Sequence, residues 1–192
     1  AREGSVEEEP REGDFVRGDR EILTVGNDGT VRLWDSMTGD PLQKKYAGSY
    51  PTALAQSKDG QHLFVADSSL NAVAVFDLSH APAAGDSAPQ SAAGFIPTDW
   101  YPSSLAVHGD ELLVGSAKGE GTGPNKAMGK TSYEAHHKDH PYIPTLLRGS
   151  IARLNIPQTL EKLPQLTQIA ERDNLLHADP GKFTFAGGQN PI

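Results

Sequence analysis

Short apolar runs separated by turn-forming residues fill most of the chain up to residue 156. The first two runs, 21–26 and 30–35, flank Asn27-Asp28-Gly29, which favours a tight hairpin because Asn and Gly tolerate positive φ. In the second run Val31, Leu33 and Asp35 alternate with Arg32 and Trp34, the period of a strand. The more polar run 42–46 suits a sheet edge. The pattern predicts a β-sheet of adjacent short strands.

Two further groups of runs repeat this arrangement. The second group comprises residues 53–56, 61–66, 72–78 and 94–98, and its middle runs are continuously apolar. Strands that are buried on both faces have this composition, so the second group is expected to lie between the other two. The third group comprises residues 103–107, 111–115 and 150–156.

A repeated dipeptide relates the second and third groups. Tyr50-Pro51 and Tyr101-Pro102 lie 51 residues apart, and each is followed by a hydroxyl residue and an apolar strand. Self-similarity at roughly 40–50 residues, carried by short strands, is typical of propeller blades. The sequence therefore predicts an all-β fold, a partial β-propeller of about three four-stranded blades at 14–46, 52–98 and 103–155. Closed propellers have at least about four blades, so blades are missing or the array needs a partner.

Three segments depart from the repeat. Thirty-four residues separate Gly115 from Ser150, where the second group has five, which predicts a long loop insertion at 116–148. Apolar residues at helical spacing predict a short C-terminal helix at about 164–174, preceded by a bent turn. Five glutamates within residues 1–13 predict a disordered acidic arm. The expected division is thus arm 1–13, blades 14–157, and helix with linker 158–192.

Composition narrows the function classes. The formal net charge is −8, which disfavours nucleic acid as a partner because an acidic surface repels phosphate. The chain contains no cysteine, which excludes disulfides and thiol catalysis. No apolar run approaches the roughly 20 residues of a membrane span, and no signal peptide is found in this chain.

One cluster of potential metal ligands lies in the insertion. His136 and His140 would share a face if residues 134–140 were helical, as in zinc sites. The glutamate that a zinc peptidase needs is replaced by His137, and Pro141 favours a loop. The alternative is a solvated polar loop that binds no metal. The nearby stretch 123–131 resembles a phosphate loop but has Pro124 in place of a glycine, so no cofactor is predicted.

Trp100, Tyr101 and Arg148 form a second candidate site. An aromatic pair with a guanidinium could hold a ligand at the rim or in the central channel of a propeller. The alternative, which the usual role of large aromatic residues favours, is that both rings pack between blades.

These motifs resemble two propeller repeats. Tyr-Pro before an apolar strand, then the strands at 63–67 and 71–78, is similar to the YVTN (YncE-like) β-propeller repeat, and residues 31–35 are similar to a WD-repeat strand. Residues 117–125 and 142–150 resemble a signature of exported bacterial proteins in which such a propeller precedes an alkaline-phosphatase-like phosphoesterase domain. The resemblance covers roughly residues 20–176.

The resemblance implies where the protein is located and which of its domains is catalytic. It implies export to the periplasm or beyond, and it places the metal ligands and the nucleophile in the phosphoesterase half. This chain ends about where that half would begin, so no catalytic residue is transferred to it. The expected function is a non-catalytic scaffold or recognition module, partnered by missing blades and a phosphoesterase domain in cis or in another protein. The alternatives are a stand-alone ligand- or protein-binding propeller and a metal-dependent hydrolase with its site at 116–148.

Overall fold

The computed structural model describes residues 10–16, 20–26, 28–46, 50–79, 91–119 and 147–176. Within these ranges the chain forms eleven strands and two helices. The strands are β1 (Pro10–Val16), β2 (Glu21–Gly26), β3 (Thr30–Asp35), β4 (Pro41–Tyr46), β5 (Pro51–Gln56), β6 (His62–Asp67), β7 (Ala72–Asp77), β8 (Gly94–Pro97), β9 (Trp100–His108), β10 (Glu111–Gly119) and β11 (Ser150–Asn155). The helices are α1 (Ile156–Glu161) and α2 (Leu163–Asp173).

The strands form three antiparallel sheets that follow one another along the chain. Their orders are β1-β2-β3-β4, β5-β6-β7-β8 and β9-β10-β11, without crossovers. The leading strand of each sheet contacts the leading strand of the next, β1 with β5 and β5 with β9. Sheets that meet at their first strands and follow in chain order are propeller blades. The fold is a partial β-propeller, which confirms the predicted class.

Two hydrophobic clusters hold the blades together, one on each face of the second sheet. Leu63, Val65 and Phe76 pack against the first sheet. Phe64 and Val75 pack against the third sheet and the helices. The continuously apolar runs of β6 and β7 are therefore buried on both faces, as their composition predicts.

The two Tyr-Pro dipeptides occupy equivalent positions in the second and third sheets. Pro51 lies opposite Asp67, Pro102 lies opposite Ser116, and each prolyl residue is buried beside an irregularity in strand pairing. The Thr52 hydroxyl donates a hydrogen bond of 2.7 Å to the carbonyl of Pro102. This bond joins the innermost strands of neighbouring blades, so the repeat marks where blades meet.

One polar position ends the third strand of every sheet. The Asp35 carboxylate accepts the backbone N–H groups of Met37 and Thr38, and the Asp77 carboxylate accepts that of Ser79. The side chain of Asn155 accepts the N–H of Gln158 and so caps α1. The same position therefore starts a turn in two blades and a helix in the third.

Helix α2 covers the outer strand of the second sheet. Leu163 and Ala170 are buried, and the Thr167 hydroxyl oxygen accepts the N–H of Phe95 at 2.9 Å. The predicted C-terminal helix is confirmed. The bent turn expected before it is instead a second helix, α1, which begins at Ile156 because Asn155 caps it and Pro157 suits a first turn. Neither described helix has the length and apolarity to cross a membrane.

Three boundaries differ from the sequence-based expectation. The disordered arm was expected to reach residue 13, but β1 begins at Pro10 because its backbone pairs with β2. The insertion was expected from residue 116, but β10 continues to Gly119. The third sheet has three strands in the described part, not four. Most of the insertion lies outside the described residues.

Candidate recognition surface

Polar and aromatic residues gather at one end of the second and third sheets, a region we call the rim. It comprises the β6–β7 turn (68–71), the β8–β9 connection and first residues of β9 (98–101), Lys118-Gly119 and Arg148. The C-terminal end of α2 lies beside it, because the side-chain amide of Asn174 donates to the carbonyl of Leu70 at 2.8 Å.

Asn71 organises the rim. Its φ is 48°, a left-handed conformation that asparagine tolerates better than most residues. Its side-chain oxygen accepts the N–H of Tyr101, and its carbonyl accepts the N–H of Thr98, both at 2.9 Å. The β6–β7 turn therefore fixes the backbone from which Trp100 and Tyr101 project.

Tyr101 is held in an unusual conformation. Its φ is 62°, which costs free energy for a residue with a bulky side chain. The Nζ atom of Lys118 lies 4.6 Å from the centre of its ring, a cation–π contact. A strained backbone held by surrounding contacts is a feature that clusters at functional sites.

The backbone of Arg148 lies against Gly119, the residue that follows Lys118. A Cβ atom at Gly119 would stand 2.2 Å from the carbonyl oxygen of Arg148, so only glycine allows this close approach. The φ of Gly119 is +51°, which also favours glycine. The two ends of the predicted insertion therefore meet at the rim, and Arg148 itself is exposed.

Trp100 projects toward the helix. It lines a cavity of about 180 Å³ with Asn71, Thr98, Ala170 and Asn174. Its exposed fraction is 59%. The interpretation that this ring packs between blades is therefore wrong, whereas Tyr101 is half-buried. An exposed indole on a fixed backbone suits protein recognition, where tryptophan is a frequent anchor.

The predicted ligand-binding residues thus come to one region without converging on one pocket. Tyr101 contacts Lys118 and the backbone of Arg148 contacts Gly119, while Trp100 faces the end of α2. Lys118 and Asn71 were missed, because contacts between strands distant in sequence leave no local signal. The proposed metal ligands His136 and His140 lie outside the described residues. Across the described part, no three potential metal-ligating side chains are grouped closely enough to hold an ion.

A second surface was not predicted as a site. On the outer side of the first sheet, Ile22, Thr24, Arg32 and Trp34 line a groove of about 530 Å³. The Trp34 indole N–H donates to the Thr24 hydroxyl at 2.8 Å, which fixes the ring. The sequence did contain a signal for this surface. The alternation of residues in β3 puts Arg32 and Trp34 on the face opposite the core.

Asp28 supplies the main electrostatic feature of this surface. Burial opposes its ionisation, but hydrogen bonds from Thr30 and Arg32 outweigh burial and lower the pKa of Asp28 from 3.8 to about 2. The Lys44 Nζ atom lies 3.8 Å from the same carboxylate. Asp28 thereby ties the β2–β3 turn to the outer face of β3.

Asp28→Asn is expected to remove stability at neutral pH but not in acid. A depressed pKa in the folded state contributes stability above the unfolded value, and this contribution is lost as pH falls from about 4 to about 2. The variant should unfold with roughly 2 kcal/mol less free energy at pH 6, a difference that disappears near pH 2. Urea unfolding of both proteins across this range checks it, with Asp110→Asn at an exposed carboxylate as control. A difference that is constant with pH would contradict the assignment.

The similarities of this chain to known proteins are to solved structures. No family model and no curated protein matches the chain. Similar solved structures include hydrazine synthase of Kuenenia stuttgartiensis (16% identity, TM-score 0.49, 61% of this chain and 33% of that one). The Cps50 (Swd1) β-propeller domain of Myceliophteria thermophila (18%, 0.47, 57% and 33%) and a putative 6-phosphogluconolactonase of Bacteroides fragilis (20%, 0.46, 55% and 31%) are also similar.

The alignments cover about a third of each of these structures. The assignment of the propeller fold therefore rests on the three sheets of this chain and not on these similarities.

Proposed function

We propose that this chain is a non-catalytic β-propeller module that acts as a scaffold and recognition surface. The observation that carries the proposal is the second sheet, which is buried on both faces between its neighbours. This packing makes a rigid frame, and it leaves aromatic and cationic side chains exposed at the rim. Rigid frames that present exposed aromatic and basic groups on turns are suited to binding.

The rim favours an anionic partner surface. Lys118 and Arg148 are exposed cations, and the exposed Trp100 supplies an apolar anchor nearby. Cationic groups beside aromatic rings bind carboxylate-bearing surfaces through charge and through the apolar faces of the rings. The partner would therefore present acidic residues around an apolar pocket.

The finer proposal is a link to a phosphoesterase of an exported protein. It rests on the resemblance of residues 117–125 and 142–150 to the propeller–phosphoesterase signature. The structure adds that Gly119 and Arg148 meet, so the intervening segment leaves and rejoins the blades at the rim. The phosphoesterase domain would then pack against the rim and the end of α2.

Purified chain is expected to hydrolyse p-nitrophenyl phosphate no faster than buffer, with or without added Zn²⁺ or Mg²⁺. A scaffold module carries no nucleophile for this reaction, so His136→Ala and His140→Ala should change nothing. Metal content after chelation and dialysis is measured on the same samples. Turnover that either substitution abolishes would overturn the proposal in favour of a metal-dependent hydrolase at 116–148.

The link itself has a separate test. The gene that encodes this chain should also encode, or neighbour, a phosphoesterase domain, and that domain should bind the chain. Trp100→Ala should weaken this binding by at least about tenfold, as loss of an aromatic anchor does, while Met37→Ala in the β3–β4 turn should not. Equal effects of both substitutions would contradict recognition at the rim.

A further inference from the structure

A cleft lies at the end of the second and third sheets opposite the rim. Two turns of neighbouring blades flank it: residues 57–61 join β5 to β6, and residues 109–110 join β9 to β10. The first turn has five residues and the second has two, so the shorter turn leaves space beside the longer one. The cleft measures about 530 Å³, within the range of about 300–1,000 Å³ that is usual for ligand pockets.

Helix α1 supplies the apolar wall of the cleft. Ile156, Pro157 and Leu160 line this wall. Ile156 is buried, and its N–H donates to the carbonyl of Asp110 at 2.8 Å, which ties the start of α1 to the β9–β10 turn. A Cβ atom at Gly109 in that turn would meet no atom within 4 Å. The wall therefore offers a fixed apolar surface beside open space.

The β5–β6 turn supplies a polar wall that is also fixed. The Ser57 hydroxyl donates to the Asp59 carboxylate at 2.6 Å and accepts the backbone N–H of His62 at 2.9 Å. The hydrogen bond from Ser57 is the main reason that the pKa of Asp59 lies below its ordinary value, so this carboxylate is ionised at neutral pH. A preformed wall of this kind loses little conformational entropy when a ligand binds.

Opposite charges lie on the two turns without pairing. Lys58 on the β5–β6 turn and Asp110 on the β9–β10 turn both line the cleft. Among the described residues, neither side chain forms an ion pair or a hydrogen bond. Both groups are exposed, so each is available to a ligand that enters between the turns.

The complete set of charges in the lining decides which ligand class fits. The other ionisable residues are Asp59 and His62, which lie on the same turn as Lys58 and interact electrostatically with each other. The two carboxylates repel an apolar anion that has no positive group, and Lys58 repels an apolar amine that has no negative group. A ligand that carries both charges on an apolar body avoids both repulsions.

We propose that this cleft binds a free apolar α-amino acid. The carboxylate of the amino acid pairs with Lys58, its ammonium group pairs with Asp110, and its side chain lies on the wall formed by Ile156 and Leu160. The two ionic contacts are charge-assisted, and the apolar contact removes hydrocarbon surface from water. The site is separate from the rim, and the inference goes beyond the proposed scaffold function.

Titration of the ¹⁵N-labelled full chain with L-phenylalanine, followed by amide NMR, tests the site. We expect a dissociation constant of roughly 0.1–1 mM, because so small a ligand makes few contacts. The largest shifts should occur at the amides of Gly60 and Gly109, one on each turn. Phenethylamine lacks the carboxylate, 3-phenylpropionate lacks the ammonium group and L-serine lacks the apolar side chain, so each should bind at least about fivefold more weakly.

Two substitutions assign the two charges separately. Lys58→Gln should weaken L-phenylalanine at least about fivefold without weakening phenethylamine, which has no carboxylate for Lys58 to bind. Asp110→Asn should weaken L-phenylalanine to a similar extent without weakening 3-phenylpropionate, which has no ammonium group. Both side chains are exposed, so both variants should fold. Asp40→Asn, at an exposed carboxylate before β4, is the control and should change neither titration.

Three results would each overturn the proposal. They are the absence of shifts at both turns up to about 10 mM L-phenylalanine, equally tight binding of any of the three analogues, and L-phenylalanine binding that either Lys58→Gln or Asp110→Asn leaves unchanged. Trp100→Ala should not alter the titration, because the rim lies at the other end of the sheets. Failure of the cleft to bind would therefore leave the scaffold function standing.

Discussion

Phe76→Ala is expected to lower the free energy of unfolding by about 3–5 kcal/mol. The side chain is fully buried and packs with Leu23, Val25 and Val31 across the contact between the first and second sheets. The substitution removes this apolar surface and leaves a cavity that two rigid sheets cannot easily close. Urea unfolding followed by tryptophan fluorescence measures the change.

Phe95→Ala is the matched control for this prediction. It is the same substitution in the same sheet, at a half-buried position on β8. Phe95→Ala should lower the free energy of unfolding clearly less than Phe76→Ala does, because less buried apolar surface is lost and solvent can reach the site. Phe95 packs at the margin of the same hydrophobic cluster, so equal costs for the two variants would contradict the larger contribution expected from the fully buried Phe76.

Gly94→Ala is expected to destabilise the protein by about 2–3 kcal/mol through overpacking. A Cβ atom at this position would lie 2.5 Å from Oγ1 of Thr167 and 2.8 Å from Cγ of Leu163, both on α2. The helix must move outward, which breaks the hydrogen bond between Phe95 and Thr167. Amide hydrogen exchange should therefore show lost protection at Phe95 in addition to the lower stability.

The control for this variant is Gly109→Ala, in the β9–β10 turn. Its φ is +60° and a Cβ atom there would meet open space, so the cost is restricted to the backbone, about 1 kcal/mol. Protection at Phe95 should not change. Loss of that protection in the control, or its retention in Gly94→Ala, would contradict a steric effect on α2.

The sheets could be predicted from the sequence because they depend on the local alternation of apolar and polar residues and on the repetition of short motifs. The turn at residues 27–29 and the two Tyr-Pro dipeptides locate blades without knowledge of distant contacts. Strand β1 was missed because its residues are polar and charged, and it forms only because β2 offers backbone partners. Helix α1 did have a local signal, Asn155 followed by Pro157, which a search for helix caps would have found.

The rim was predicted in composition but not in geometry. The sequence identified Trp100, Tyr101 and Arg148, yet it favoured burial of both rings, whereas Trp100 is largely exposed. The orientation of these residues depends on Asn71, 30 residues away, whose side chain binds the backbone of Tyr101. Contacts of this range are set by the packing of the second and third sheets, which no local pattern encodes.

The bond between Thr167 and Phe95 has a consequence for solubility. An outermost strand exposes unpaired N–H groups, which serve as a template for strands of other molecules. Helix α2 lies along β8, and its threonine occupies one of these donors. A chain that lost α2 would uncover the Gly94–Pro97 border, and growth into intermolecular β-sheet would then compete with refolding.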